Sequence, residues 1–330
     1  MRMISRYGLV AACTIGLSAL TLSALAQTAY PSRPVRVLTA GAPGGGSDIT
    51  TRAVANWLSQ AWGQQVMVDN RPGVAGLIAF DNFLKANPDG HTLLSMSAST
   101  VISAQASSDW PPDLLSMIAP ISQASSLFYI AFSHPSLPVS TFKELLDRGR
   151  ANPNKLFFGT AGNAGLQHLA WEIIMQAGGV KFKHVAYKSA QAALTAAIVG
   201  ETHFNFGTQI SLRAHMASGR ARALAVTSLQ RQPTLPDVPT LAEQGLPGVH
   251  IDQWYGMATS AKVSPAVMNR LSAAVIEAIK SPEVAKRLTA DGSVPVGSTP
   301  EQFSEHIRSE HAKYRKVLQR LGLLARGSKP

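Results

Sequence analysis

VRVLTAGAPGGGSDITTRAVANWL, Val35 to Leu58, reads as a strand, a glycine turn and a helix. Val35, Val37 and Leu38 belong to a short apolar run that ends at Thr39. Residues 40–46 can neither extend that strand nor begin a helix, because Pro43 has no amide hydrogen and three glycines follow it. Ser47 is the expected N-cap and Asp48 the expected first-turn carboxylate. Ala53, Trp57 and Ala61 recur every fourth residue and mark one helical face. A glycine turn that opens a helix leaves backbone N–H groups free, so the stretch reads either as an anion site or as plain scaffolding. Two nucleotide readings fail. A P-loop needs Gly-Lys-Ser/Thr, and Gly46 is followed by Ser47-Asp48. The dinucleotide fingerprint needs a third glycine where Ile49 stands.

Residues 1–26 read as a cleavable export signal: Arg2 and Arg6 lead an apolar run that ends in Ala24-Leu25-Ala26, which makes Gln27 the mature start. Val10-Ala11-Ala12-Cys13 offers a lipoprotein cut as the alternative. Cys13 is the only cysteine, so the mature chain has no disulfide, thiol nucleophile or thiolate metal site. No later stretch has the ~18 continuous apolar residues of a membrane span. Without Arg2 and Arg6, 28 basic residues stand against 19 acidic ones, a net charge of +9. That field favours acidic small molecules or serves solubility alone. Nucleic acid is not expected, because Arg220, Arg222, Arg231 and the other cations are spread out.

Strand-like and helix-like stretches alternate along the 330 residues and predict an α/β protein with mainly parallel sheets. Strands are expected at 65–69, 91–96, 127–132, 156–158, 182–187, 202–206, 222–227 and 252–257. Ser97 to Ser108 is small and polar and reads as a loop or frayed helix at a strand end, where open α/β sheets hold ligands. Ser140 to Lys143 matches Ser-x-x-Lys, but neither companion motif occurs, and Thr141 with Glu144 reads as a capping box. Lys155 to His168, KLFFGTAGNAGLQH, repeats the logic of the first stretch, so two anion-binding helix ends could face each other. His168 then lies near a helix start, turned toward a ligand or packed in the core. Ser264-Pro265, Ser281-Pro282 and Thr299-Pro300 open three amphipathic C-terminal helices. No metal-ligand spacing or nucleophile elbow appears, and no cofactor is expected.

Taken together, Tyr30–Asp48, VDNRPGVAGLIA (68–79), NPDGHTLL (87–94), Lys155–Ala170, HVAYKSAQAAL (184–194), Arg222–Gly248 and VGSTPEQF (296–303) resemble the substrate-binding proteins of tripartite tricarboxylate transporters, the Bug family. The resemblance spans the chain to about Leu318. It implies a periplasmic-binding-protein fold of type II-like form: two α/β lobes with a ligand cleft between them. Lobe 1 is expected from 27–126 and 229–330 and lobe 2 from 127–228, with a return that could come as late as Ile251. The family's pincer on a ligand carboxylate maps to Ala42–Asp48 and Gly159–Gly165, with His168 at the matching helix position. The expected ligand contacts in the first loop are Gly41, Ala42, Gly44, Gly45, Gly46, Ser47 and Asp48. Ser97, Ser99 and Thr100 follow at the third strand's end. The second lobe supplies Gly159, Thr160, Ala161, Asn163, Ala164, Gly165, His168, Tyr187, Lys188, Gly207 and Thr208, and Trp254 lies on a returning strand.

Four places depart from the family pattern. Gly41 replaces an aromatic, Thr100–Ala104 replace a His-Ala-x-Asn-Pro segment, Ala164–Gln167 replace a serine-rich loop, and Gly207-Thr208 replace an Asp-Asn pair. These changes predict a roomier, less polar pocket and a ligand with one carboxylate on an apolar or aromatic body. The resemblance implies a monomeric periplasmic receptor that serves the membrane subunits of a transporter, or a sensor. An exported enzyme using Tyr187, Lys188 and His168 is the alternative.

Overall fold

The computed structural model describes residues 30–325 except 74, 75, 112 and 291; the expected signal at 1–26, its cut before Gln27 and the rival cut at Cys13 lie outside them. Two mixed sheets form the frame. The first has six strands: β1 Val35–Thr39, β2 Val66–Asn70, β3 Thr92–Ser97, β4 Ile118–Phe128, β10 Asp252–Ser260 and β11 Val294–Pro295, in the order β11-β4-β10-β3-β1-β2. The second has five: β5 Ile130–Ser133, β6 Phe157–Thr160, β7 Lys183–Ala186, β8 Phe204–Gly207 and β9 Arg222–Val226, in the order β7-β6-β8-β5-β9.

Within each sheet the strand–helix units pair parallel, β1 with β2 and β3, and β6 with β7 and β8. The strands that carry the chain between sheets, β4, β5, β9 and β10, join antiparallel. The expectation of mainly parallel sheets therefore fails at the crossings, where direction is set by the route between lobes.

The run expected as one strand at 127–132 is two. Phe128 ends β4 in the first sheet and Ile130 begins β5 in the second, with Tyr129 between them. The return comes at Asp252. Residues 229–251, expected in lobe 1, lie along the second sheet: the Val226 and Leu241 amides bond the carbonyls of Pro239 and Val226, and the Lys143 amide bonds Gln244 Oε1.

The crossings are tied together through one buried threonine. The Thr227 amide donates to Tyr129 O (2.9 Å) and the Ile251 amide to Thr227 O (3.0 Å). Thr227 Oγ1 accepts from the Tyr129 amide (2.9 Å) and donates to Ile251 O (2.7 Å).

Apolar faces fix the layers. In the first lobe Val35, Val37 and Leu93 pack against Val54 and Leu58 of helix α1, Gly46–Trp62, and Leu271 and Val275 of the helix Pro265–Lys280. In the second, Trp171 is fully buried among rings: Phe206 at 4.3 Å, Phe204 at 4.7 Å, Phe158 at 5.6 Å, and Phe142 and Phe182 at 6.2 Å. One apolar cluster runs through both lobes, from Phe80 and Trp254 to Phe158 and Trp171. The last helix, Pro300–Arg320, reaches across as well, where Arg320 Nη2 donates to Glu172 O (3.1 Å) and lies 3.6 Å from the Glu172 carboxylate. Among the described residues no helix is long and apolar enough to cross a membrane.

Candidate functional site

α1 begins at Gly46, two residues before the start that a Ser47 N-cap would give, and Gly45 is its N-cap with no side chain capping it. Ser47 is not the cap. Its hydroxyl turns to the sheet, 2.9 Å from Thr39 Oγ1 and 3.1 Å from Ser95 Oγ, and Thr51 Oγ1 is 2.9 Å from the same Ser95. These hydroxyls anchor the first helical turn to the ends of β1 and β3. The Gly46 and Ser47 amides thus keep their donors for a ligand, since first-turn N–H groups have no intrahelical acceptor. Gly46 is glycine for room: a β-carbon there would sit 2.6 Å from Tyr255 Oη. Ala42 builds the turn by accepting from the Gly45 amide (3.0 Å).

Asp48, expected to face the ligand, instead braces the loop. Its buried carboxylate accepts from the Gly44 amide (3.0 Å), Arg52 Nε (3.0 Å) and Asn70 Nδ2 (2.8 Å). Burial alone would raise its pKa, but the bonds from Arg52, the Gly44 amide and Asn70, with the Arg52 charge, outweigh it and hold the pKa below the ordinary aspartate value. A group depressed in this way stabilises the fold fully above its unfolded value of about 3.9, and the contribution is lost as pH falls through the folded value. Asp48→Asn should therefore lower Tm at neutral pH and flatten the fall in Tm below about pH 4. Tm measured across pH 2–7 checks this, and parallel curves for the two proteins would refute it.

A cavity of about 350 Å³ opens beside this loop, lined by Gly41, Gly45, Gly46, Ser47, Ser95, Ser97, Ser99, Thr100 and Ser103 and by Ala40, Gly73, Gly76, Gln253 and Tyr255. Among the described residues no lining side chain is charged. A second uncapped helix start borders it, at Gly76 before the helix Leu77–Leu84. Ser97 to Ser108, expected as a loop or frayed helix, is a formed helix over Ala98–Ala106. Ser97 and Thr100 close its capping box, with bonds of 3.4 Å and 3.3 Å, while Ser99 is exposed.

The second loop copies the first. Helix α6, Leu166–Gly178, is N-capped by Gly165 at φ −76°, ψ 161°, against φ −77°, ψ 162° at Gly45, and again no side chain caps it. Ala164 sits at φ 57°, and its amide donates to His168 Nδ1 (3.2 Å). Of the two places open to His168, the structure shows the packed one. It is buried, stacked 4.2 Å from His184, and pushed down to about pKa 4 by burial and by the neighbouring His184. Thr160 Oγ1 is 2.8 Å from Gly162 O and 2.6 Å from His184 Nε2. Ala161 and Asn163 are exposed. A β-carbon on Gly159 would meet the Tyr187 ring at 2.8 Å, and Lys188 points to solvent.

Three expected contacts serve the scaffold. Trp254 is fully buried against Phe303 (5.4 Å) and His306 (5.5 Å); side chains alternate along β10, so Gln253 and Tyr255 reach the cavity instead. Gly207 makes room for Leu212, whose Cγ would lie 2.5 Å from a β-carbon there. Thr208 caps the helix Gln209–Ala217 in a box with Ser211. Gly41 likewise does not open the pocket: a β-carbon would meet Ser47 Cβ at 2.9 Å, so glycine lets Ser47 approach. Among the described residues no second-lobe residue lines the 350 Å³ cavity.

The sequence reading missed Ser95, Ser103, Gly73, Gly76, Gln253, Tyr255 and His184. The glycine pair around residues 73–76 repeats the first loop's signal in weaker form. The other five depend on which face of an element they occupy.

Residues 50–323 match the family described as "Tripartite tricarboxylate transporter family receptor". The chain is 33% identical to a UPF0065 protein in the tcbD-tcbE intergenic region of Pseudomonas sp. (strain P51), over 92% of this chain and 91% of that one. It is 28% identical to the protein BugT of Bordetella pertussis, over 89% and 90%. Its fold is similar to that of R. palustris Rpa4515, solved with adipate, at a TM-score of 0.75 and 26% identity, covering 89% of this chain and 98% of that one.

Proposed function

Because this chain belongs to the tripartite tricarboxylate transporter receptor family, we propose that it captures a small organic acid between its two lobes and delivers it to the membrane subunits of such a transporter. The fold is that of the periplasmic binding proteins, and the family's members are solute-binding receptors. The observation that carries the reading is the cavity bordered by two uncapped helix starts and no charged side chain. Helix N-termini hold a carboxylate through oriented N–H dipoles, without a cation.

In this reading the amides at Gly46 and Ser47 take the carboxylate in the open receptor. The uncapped end at Leu166 closes on it from lobe 2, which comprises residues 130–251. A ligand that touches both lobes stabilises the closed state by its extra contacts there. Export by residues 1–26 puts the receptor in the periplasm.

The body of the ligand is apolar or aromatic. Beyond the helix ends the wall offers hydroxyls, the Gln253 amide, Ala40 and the Tyr255 ring, and among the described residues no cation to pair a second carboxylate. The R. palustris relative was solved with adipate, a dicarboxylate with a four-methylene chain, which supports a carboxylate ligand here but not the single-carboxylate part of the reading.

A thermal-shift screen of Gln27–Pro330 against carboxylic acids tests the proposal. Ligand at ~100 times its dissociation constant adds about 2.7 kcal/mol of stability. Aromatic or long-chain monoacids should raise Tm, and succinate and citrate should not. Stabilisation by small di- or tricarboxylates alone would overturn the apolar-body reading, and a panel in which no acid acts would overturn carboxylate capture.

A further inference from the structure

We propose that His184 is the positioning residue of the second ligand loop: through Thr160 and His168 it sets the shape in which residues 160–165 present the α6 helix end. The proposal rests on reading that helix end as half of the carboxylate grip.

Proton counting fixes the direction of the bonds. Thr160 Oγ1 has one proton and two neighbours at bonding distance, Gly162 O (2.8 Å) and His184 Nε2 (2.6 Å). A carbonyl only accepts, so both contacts are satisfied only when Thr160 donates to Gly162 and His184 donates from Nε2. His184 is then the Nε2–H tautomer. His168 is fixed in the same way. Its Nδ1 accepts from the Ala164 amide, so Nδ1 carries no proton. Burial lowers the pKa of both rings, which suits two neutral imidazoles stacked at 4.2 Å.

The two residues grip the loop at its two positive-φ points, of which only Ala164 carries strain. His184 acts through Thr160 on Gly162 (φ 87°), and His168 acts on Ala164 (φ 57°), a left-handed position with a side chain. A non-glycine residue in that region costs free energy and persists only where its surroundings over-determine it. His184 also lies 5.2 Å from Phe158, so the stack is seated on the core of lobe 2. The Tyr187 amide donates to Thr160 O (2.8 Å), which joins the ends of the same two strands.

Two variants separate the bond from the stack. His184→Phe keeps an aromatic ring against His168 and Phe158 and loses the donor. His184→Gln places an amide donor near the Nε2 position and loses the ring. Amide hydrogen exchange, read residue by residue without any ligand, is the primary measurement. His184→Phe should speed exchange at Gly162–Gly165 about tenfold and leave β8 amides unchanged, and His184→Gln should restore loop exchange to within about threefold of wild type. Nitrogen shifts of the imidazoles should show His184 protonated at Nε2 and His168 bare at Nδ1.

Unchanged loop exchange in His184→Phe would overturn the proposal, and so would faster exchange across all of lobe 2, or a His184 proton on Nδ1. Benzoate and hexanoate serve as binding probes. If wild type binds neither, the ligand reading fails while the exchange result still decides the role of His184. If wild type binds one of them, His184→Phe should weaken it and His184→Gln should restore part of the loss.

Discussion

Gly46→Val should sharply weaken ligand capture and leave the receptor folded. The Gly46 φ is helical, so valine meets no backbone strain, and in a first turn its cost against glycine is small. The obstruction is local. The first β-carbon already lies 2.6 Å from Tyr255 Oη and 3.0 Å from Cζ, and two further methyl groups extend toward the helix-end donors. A carboxylate at a helix N-terminus in a partly buried site gains up to ~2 kcal/mol, so losing that contact weakens binding by up to about 30-fold. Loss of the closed state adds to this. Calorimetric titration with whichever acid stabilises the wild type most will measure the effect, with Tm as the fold control. Adding Tyr255→Ala should recover part of the affinity by giving the valine somewhere to go. Binding of the Gly46→Val protein at wild-type strength would show that the α1 end is not the anchor.

Trp171→Ala should be the most damaging single truncation in the second lobe. Five rings surround an indole that is fully buried, and its Nε1 has no hydrogen-bond partner, so nothing polar is orphaned when it goes. The whole cost is lost transfer free energy plus the cavity, ~3–5 kcal/mol for this class of change. The urea midpoint should fall accordingly with m nearly constant. A loss below ~1 kcal/mol would mean that the phenylalanines collapse into the space and that the stack is not tightly constrained.

The parts of the fold that could be read from sequence are those written in local chemistry. Pro43, Gly44 and Gly45 admit no regular element, although Gly46, expected to stay outside the helix, begins it; Thr141 and Glu144 cap a helix where the chain alone puts it, and Thr299 with Gln302 cap another. The strand Ile118–Phe128 was legible only at its apolar end, because Ser122, Gln123 and Ser125 look like a loop. Its inner polar groups find partners far along the chain: Ser122 Oγ donates to Ser298 O (2.8 Å), and the Gln123 amide donates to Ser298 Oγ (2.9 Å). Ser47 was a good local cap, but its hydroxyl bonds Thr39 and Ser95, which arrive by sheet pairing, and Gly45 takes the cap position.

The same limit governs the site. Two glycine loops could be paired from sequence, but the direction in which each missing side chain would have pointed could not. Gly41 and Gly207 looked like openings in the cleft, and both turned out to be occupied from behind, by Ser47 and Leu212. Tyr255 was hidden by its neighbour Trp254, since a strand hands alternate residues to opposite faces and the larger aromatic went to the core.

The bonds among Tyr129, Thr227 and Ile251 act as a rivet. Three independent crossings would let the sheets twist and slide as well as hinge, and a ligand would then have to select among many relative placements. Pinned through one threonine, the three strands are held together at the crossing, which favours a hinge rotation there over sliding of one sheet past the other. The outer rims, farthest from the rivet, travel most for a given rotation. In the proposed receptor, occupancy of the cleft would thereby be converted into a spacing between two distant edges, a quantity that a transporter could gauge without touching the ligand.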